Sequence, residues 1–270
     1  MQHEHAAGGR ERKQRVEGDG GTKRWSVAST LAVALALLLA PNARAQVHSQ
    51  LWTNLTFDWV KSERLTYELD FEPKALVNAP AGEPGWKNLD VTPNVAFSAT
   101  KWVDLTGELV TGYTRQNDDV SSFELTPRIG VDFHVLSRVL AKRERQPKRR
   151  LAPDNYFRVE WRNFLYSDNQ PKTSAWRFRN RLGCTFAINR QEHTDDGAYY
   201  VLADWEWFLP LSDPTERFSN RQRVRAGFGY RHSFHWRFET LYMWTRSRNT
   251  IEEPFETSEM IIDVRIKRFF

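Results

Sequence analysis

Residues 176–186 read Trp-Arg-Phe-Arg-Asn-Arg-Leu-Gly-Cys-Thr-Phe, in which apolar and basic side chains alternate. Successive side chains of a β-strand point to opposite faces, so a strand here would carry arginines on one face and apolar groups on the other. A helix has a period of about 3.6 residues and would mix the two kinds around its circumference. The alternation therefore predicts a long amphipathic strand. Its apolar face holds Trp176, Phe178, Leu182, Cys184 and Phe186, and its basic face holds Arg177, Arg179 and Arg181.

The same period of two continues through most of the chain from residue 51 onward. Many of the segments that show it are about ten residues long, which is the length that a tilted strand needs to cross a membrane. The sequence after residue 45 indicates no amphipathic helix of three or more turns. The eleven segments have apolar faces at Leu51–Trp59, Leu65–Phe71, Leu89–Phe97, Val103–Tyr113, Phe123–Phe133, Phe157–Trp161, Trp176–Phe186, Val201–Trp207, Val224–Tyr230, Trp236–Trp244 and Met260–Ile266.

Two all-β architectures are compatible with this alternation. In a secreted soluble β-sandwich that binds a ligand, the apolar face is buried and the charges meet water. In a membrane barrel the apolar face meets lipid. A mean hydropathy of −0.65 excludes a polytopic helical membrane protein. The strand lengths, with Trp and Tyr near the strand ends, favour an antiparallel transmembrane β-barrel of about 10–12 strands.

The number of segments raises a question of its own. Bacterial single-chain barrels usually have an even number of strands, so eleven segments predict one strand missed or counted in excess. We expect the discrepancy in His134–Asp154, which is too long for a simple turn. The basic cluster of this segment is expected to be a solvated loop, although such clusters can also bind anionic lipid headgroups or nucleic acid. Its members are Lys142, Arg143, Arg145, Lys148, Arg149 and Arg150.

The first 45 residues have the composition of a leader. Lys23 and Arg24 precede the apolar run Val27–Ala40, and Ala43-Arg44-Ala45 follows it. A basic region, a short apolar region and a small-x-small site together predict a secretory signal peptide that is cleaved after Ala45. An uncleaved anchor is the alternative. The predicted organisation is a polar extension plus signal peptide over residues 1–45 and a single β-barrel domain over residues 46–270.

The C-terminal segment predicts where the protein is assembled. It ends in Phe270, and its apolar face holds Met260, Ile262, Val264 and Ile266. An alternating last strand that ends in Phe resembles the assembly signal of bacterial outer-membrane barrels. Arg268 departs from that signal, in which an apolar residue is usual at this place. The pattern predicts a monomer in the bacterial outer membrane that contacts outer-membrane lipid and is inserted by the barrel-assembly machinery through the strand ending in Phe270.

The charge balance and the cysteine count exclude further kinds of partner and site. Residues 46–270 hold 32 basic and 30 acidic side chains, a net charge of +2. A partnership with nucleic acid is therefore not expected. Cys184 is the one cysteine, which excludes an intrachain disulfide and a multi-thiolate zinc site. Its position on an apolar face predicts a lipid-facing or packed thiol.

If the apolar face meets lipid, the polar face lines the interior of the barrel. Two arginine ladders then lie two strands apart with acidic strands between and beside them, and opposite charges on neighbouring strands can pair. Unpaired charges in a narrow lumen are costly, so most arginines should have partners. The network either plugs the lumen or forms a polar path or binding site for an anion. Its predicted members are Glu160, Arg177, Arg179, Arg181, Asp204, Glu206, Arg221, Arg223, Arg225 and Glu239.

The sequence predicts no catalytic residues, no cofactor and no metal site. The alternative from another class, an outer-membrane lipid-modifying enzyme, needs a Ser with a His and a polar or acidic third group. The candidates are His232-Ser233, in a predicted tight turn, and His193 with Asp195 or Asp196 in a polar loop. The chain contains neither Gly-x-Ser-x-Gly nor a phosphate-binding glycine loop. The acidic residues of that polar loop are too generic in spacing to predict a divalent-cation site.

Four stretches of the second half follow one another in a distinctive order: two with spaced arginines, then an acidic-aromatic strand, then an Asn-Arg strand that ends in Gly-x-Gly-Tyr. They are NYFRVEWR (155–162), WRFRNRL (176–182), DWEWF (204–208) and FSNRQRVRAGFGY (218–230). This arrangement resembles the bacterial family called domain of unknown function 2490 (DUF2490). With the opening Leu51-Trp52, the similarity covers roughly residues 50–270. The resemblance implies an outer-membrane barrel and brings no activity with it.

Overall fold

The computed structural model describes residues 47–78, 85–116, 121–134, 150–168, 170–212, 220–248 and 254–270. Within these ranges the chain is all-β, as predicted, and forms eleven strands. The same ranges contain no helix with the length and apolar character of a membrane span. The strands are β1 (His48–Val60), β2 (Leu65–Asn78), β3 (Trp86–Thr100), β4 (Val103–Gln116), β5 (Ser121–Phe133), β6 (Leu151–Tyr166), β7 (Thr173–Ala187), β8 (Ala198–Pro210), β9 (Arg221–Ser233), β10 (Trp236–Ser247) and β11 (Glu256–Phe269).

The eleven strands form one closed barrel. Each strand pairs antiparallel with the next along the chain, whereas β1 and β11 run parallel and close the sheet, with His48 opposite Glu259 and Asp58 opposite Phe269. A parallel pair closes an odd number of strands, so the expectation of an even number was wrong, and the sheet is mixed rather than purely antiparallel. A single closed sheet also excludes the two-layered sandwich.

The structure also bears on the predictions for the segment His134–Asp154 and for the turn at His232-Ser233. In the segment His134–Asp154, β6 begins at Leu151; residues 135–149, with all of the basic cluster except Arg150, lie outside the described residues. The tight turn predicted at His232-Ser233 was placed too early. β9 continues through Ser233, which pairs with Trp236, so the connection to β10 is a two-residue hairpin turn at 234–235.

The apolar faces of the strands point outward. Ile129 is 73% exposed and Leu182 is 47% exposed, although both lie in the middle of their strands. Cys184 is half-exposed on this same outward face of β7. The charged faces point inward, where Glu160 is 0% exposed and Arg223 is 7% exposed. Proteins in water have the opposite arrangement, with large apolar groups inside and charges outside.

Part of the inner wall is packed with apolar side chains. Leu241 and Met243 on β10 and Ile261 on β11 are at most 1% exposed. The ring of Tyr200 lies against the backbone of Gly229, where a Cβ would be 2.2 Å from two of its ring atoms. Any larger residue there would collide with the tyrosine unless its ring shifted. This packing fills part of the interior and leaves a polar cavity beside it.

Candidate functional site: the charged lumen

A cavity of about 710 Å³ lies inside the barrel. Barrels of about eight strands are filled by their own side chains and those of about 16–18 strands enclose an aqueous channel, so eleven strands leave an intermediate interior. Eight of the ten predicted network residues line the cavity. The other two, Glu160 and Glu206, are 0% and 2% exposed and lie behind arginines. All ten therefore point inward.

Glu160 on β6 is the centre of the first cluster. Arg177 donates from Nε to its Oε2 at 2.7 Å, and Arg179 donates from Nη1 to its Oε1 at 2.8 Å. Arg128 and Arg158 hold their Nε atoms 3.3 and 3.0 Å from the same Oε1. The strand register places Glu160 directly opposite Arg128 on β5 and Arg177 on β7. Four guanidinium groups therefore surround one fully buried carboxylate.

Glu206 on β8 is the centre of the second cluster. Arg179 donates from Nε to its Oε1 at 3.0 Å and so joins the two clusters. Arg223 Nη1 lies 3.6 Å from Oε2 of the same carboxylate. Beside this cluster, Arg225 donates from Nε to Asp204 Oδ1 at 2.7 Å, and the two residues are cross-strand partners. Neighbouring strands thus pair opposite charges at these positions.

The three remaining predicted residues, Arg181, Arg221 and Glu239, have longer ion pairs or have partners other than the expected neighbouring charges. Arg181 lies 3.6 Å from Asp154, and its side chain is 31% exposed to the cavity. Arg221 lies 3.3 Å from a carboxylate of β11 rather than of β8. Glu239 accepts a hydrogen bond from the Tyr200 hydroxyl at 2.6 Å. The basic ladders are therefore well paired near β7 and β8 and more loosely paired toward the cavity.

Sequence reasoning missed Glu108 on β4, which joins the arginine clusters from the neighbouring strand. Arg158 donates to its Oε2 at 2.9 Å, Arg128 donates at 3.3 Å, and the Tyr156 hydroxyl donates to its Oε1 at 2.8 Å. The signal was present, because Glu108 occupies the polar parity of its strand. Restricting the predicted network to β6–β10 left it out.

A second charged region, on β1–β3, was also missed. Its carboxylates are partly neutralised by two lysines. Lys267 lies 2.9 Å from Asp58 and donates to Glu68 at 2.5 Å. Lys74 lies 2.7 Å from Glu72 and donates to Asp90 at 2.5 Å. The region consists of Asp58, Glu68, Asp70, Glu72 and Asp90, all at polar parity in the sequence.

The candidate hydrolase residues do not assemble into a catalytic group. The ring of His193 packs against Tyr200 with centroids 5.7 Å apart, and burial lowers the pKa of this histidine. Asp195 accepts a hydrogen bond from a backbone N–H at 3.1 Å. Among the residues that the structure describes, neither His193 nor His232 hydrogen-bonds to a serine, and no three His, Cys, Asp or Glu side chains form a group that could hold a metal ion.

One protein family has a model that matches this chain. It is described as Protein of unknown function (DUF2490), and the match covers residues 49–255, the central part of the chain. No curated protein and no solved structure matches.

Proposed function

We propose, for a chain that belongs to the DUF2490 family of proteins of unknown function, that it is a monomeric β-barrel of the bacterial outer membrane whose charged lumen admits small polar solutes. In this proposal the signal peptide is removed after Ala45 and lipid covers the apolar wall. The ion pairs of the lumen hold the wall in shape around the path. Among simple ions, anions are preferred.

The observation that carries the proposal is the inverted distribution of side chains. Large apolar groups are exposed on ten of the eleven described strands, from Leu51 on β1 to Trp244 on β10, while charged groups are buried inside. Soluble monomers rarely expose continuous apolar patches beyond a few hundred Å². Each apolar Å² left in water costs roughly 25 cal/mol, and a surrounding lipid phase removes that cost.

Aromatic rings at both ends of the barrel support the same conclusion. At the end where β1 finishes, Trp59 stacks on Phe270 with ring centroids 5.5 Å apart. At the opposite end, Trp161 stacks on Trp176 at 5.8 Å. Membrane barrels carry aromatic girdles at both lipid–water interfaces, because these rings are apolar in body and polar at one edge.

The lining of the cavity supports the preference for anions. Thirteen Lys or Arg and ten Asp or Glu residues line it, so the positive excess is small. Most of these charges are already paired within the wall. The lumen should therefore favour anions over cations only modestly, rather than exclude one sign of charge.

Location is tested by fractionation and heat-modifiability. The full chain is expressed in a Gram-negative host, outer membranes are isolated, and boiled and unboiled samples are compared on a detergent gel. We expect an outer-membrane band that shifts on boiling. A matched chain without Val27–Ala40 should be absent from that fraction. A mature form that is soluble in the periplasm would overturn the proposal.

Permeation is tested in planar bilayers with the folded barrel. We expect discrete conductance steps and a reversal potential, under a KCl gradient, that indicates a modest preference for chloride. Arg181→Gln, inside the lumen, should reduce this preference. Arg268→Gln, on the outward face, should leave it unchanged. A folded barrel without conductance would mean that the ion pairs plug the lumen.

A further inference from the structure

The inward-facing charges are segregated across the barrel. The inward positions of β1–β4 carry seven carboxylates and one lysine, and those of β6–β9 carry nine arginines and four carboxylates. In the closed strand order, β5 separates the two groups on one side and β10 and β11 separate them on the other. We name β1–β4 the acidic wall and β6–β9 the basic wall. The two walls therefore face each other across the lumen.

Hydrogen bonding shows the same division. On the acidic wall, one side-chain oxygen each of Asp58, Asn88, Asp90 and Asn94 is buried without a donor among the described residues. On the basic wall, the buried Nε of Arg223 has no acceptor in the part of the chain that the structure describes. Counting described residues alone, the basic wall has one such oxygen of its own, Oε2 of Glu206, and it lies only 3.6 Å from Arg223 Nη1. One wall thus offers acceptors and the opposite wall offers a donor.

One cationic side chain from each wall approaches the indole of Trp52. Lys74 Nζ of the acidic wall lies 4.4 Å from the ring centroid, and the guanidinium of Arg223 of the basic wall lies 5.3 Å from it. The indole also donates from Nε1 to Gln50 at 2.8 Å, which fixes its orientation. A small solute beside Trp52 is within reach of both walls and has an apolar ring against its carbon chain.

We propose that the lumen binds zwitterionic solutes that carry an ammonium and a carboxylate on one short chain. The ammonium points to Asp70, Glu72 and Asp90, and the carboxylate points to Arg181 and Arg223. Opposite walls of opposite charge produce a field across the lumen, which favours both ends of an aligned zwitterion but only one end of a simple ion. The inference rests on the proposed permeation function and names its class of solute.

The test compares three probes of equal chain length: 4-aminobutanoate, butanoate and butylammonium. Binding to the folded barrel in detergent is followed by saturation-transfer NMR, which needs no conductance. We expect the zwitterion to bind about tenfold more tightly than either simple ion, since it gains one further charged contact. Equal affinity for the zwitterion and for butanoate would overturn the inference.

Two lumen variants test the two walls separately. Asp70→Asn removes an acidic group that accepts a hydrogen bond from Thr56 and has no lysine or arginine partner among the described residues. Arg181→Gln removes a cation whose ion pair is long. Each should weaken 4-aminobutanoate binding about tenfold, whereas only Arg181→Gln should weaken butanoate binding. The outward Arg268→Gln should change neither.

The outcomes separate this inference from the function on which it rests. Selective zwitterion binding without conductance would refute permeation and leave the binding site standing. Conductance with no preference among the three probes would support permeation and refute the zwitterion site. Each variant is first checked for the heat-shifted band, and wild-type affinity for the zwitterion in both folded variants would overturn the assignment of the two walls.

Discussion

The substitution Glu160→Gln tests how much the buried ion pairs stabilise the barrel. Glutamine keeps the shape of the side chain and removes its charge, and its amide group would place N–H donors against guanidinium groups that are themselves donors. Glu160 is 0% exposed, so water cannot compensate. Breaking a buried pair from one side typically costs about 3–5 kcal/mol.

The structure places the expected loss near the lower end of that range. Arg179 retains Glu206, and Arg128 and Arg158 retain Glu108, so at least three of the four arginines keep a carboxylate. Arg177 loses the carboxylate to which its Nε donates at 2.7 Å, a shorter contact than those of the other three arginines to Glu160. We therefore expect the free energy of unfolding to fall by about 3 kcal/mol.

Urea unfolding of the barrel refolded into lipid vesicles measures this change. The matched control is Glu256→Gln, an exposed carboxylate at the start of β11, which should stay within about 0.5 kcal/mol of wild type. Adding Arg177→Gln to Glu160→Gln should restore part of the loss, because the second change removes a buried cation that the first has deprived of the Glu160 carboxylate. A single variant as stable as the control, or a double variant no better than the single one, would refute the reasoning.

Three further changes probe packing, lipid contact and hydrogen bonding. Gly229→Ala should destabilise the barrel by about 1–3 kcal/mol, because its Cβ would lie 2.2 Å from the Tyr200 ring. Gly107→Ala should be nearly neutral in the same urea unfolding, because its Cβ would meet no described residue within 4 Å apart from its chain neighbours. Leu182→Arg puts a charge on the outward face and should cost about 2–4 kcal/mol if that face meets the middle of a bilayer; unchanged stability in lipid would contradict lipid contact. Tyr200→Phe removes the 2.6 Å hydrogen bond to Glu239 and should cost about 1.5–3 kcal/mol, and equal unfolding midpoints would show that the bond is energetically neutral.

The strands were predictable because alternation determines the face of each residue directly. In β7 the arginines at 177, 179 and 181 had to share a face whatever the rest of the fold did. Closure of the barrel was not predictable in this way. The parallel pairing of His48–Asp58 with Glu259–Phe269 joins strands at the two extremes of the described chain, and alternation within a strand carries no information on which strand lies across its free edge. The even strand number was inferred from a general habit of barrels, and this chain does not follow it.

For the candidate site, the sequence likewise predicted the face on which each charge lies but not the register or the burial. Parity alone brought all ten predicted charges to one side of the wall, and cross-strand adjacency predicted the pairing of Asp204 with Arg225. The four arginines around Glu160 required more, because Arg128 lies opposite it only through the register of β5 with β6. The depth of each group was also hidden from the sequence. Whether a carboxylate lines the cavity or lies behind an arginine depends on side-chain length and direction, not on parity.

The amount of charge in the lumen argues for a path rather than for stability alone. A buried ion pair is often no more stabilising than apolar side chains of the same volume. This barrel demonstrates the apolar solution on its own inner wall, where Leu241, Met243 and Ile261 are packed at no more than 1% exposure. The wall opposite β1–β4 uses arginines instead, and it places them around a cavity of about 710 Å³ rather than filling the space. Wall integrity alone does not require that choice, whereas the passage proposed here for charged solutes would use it.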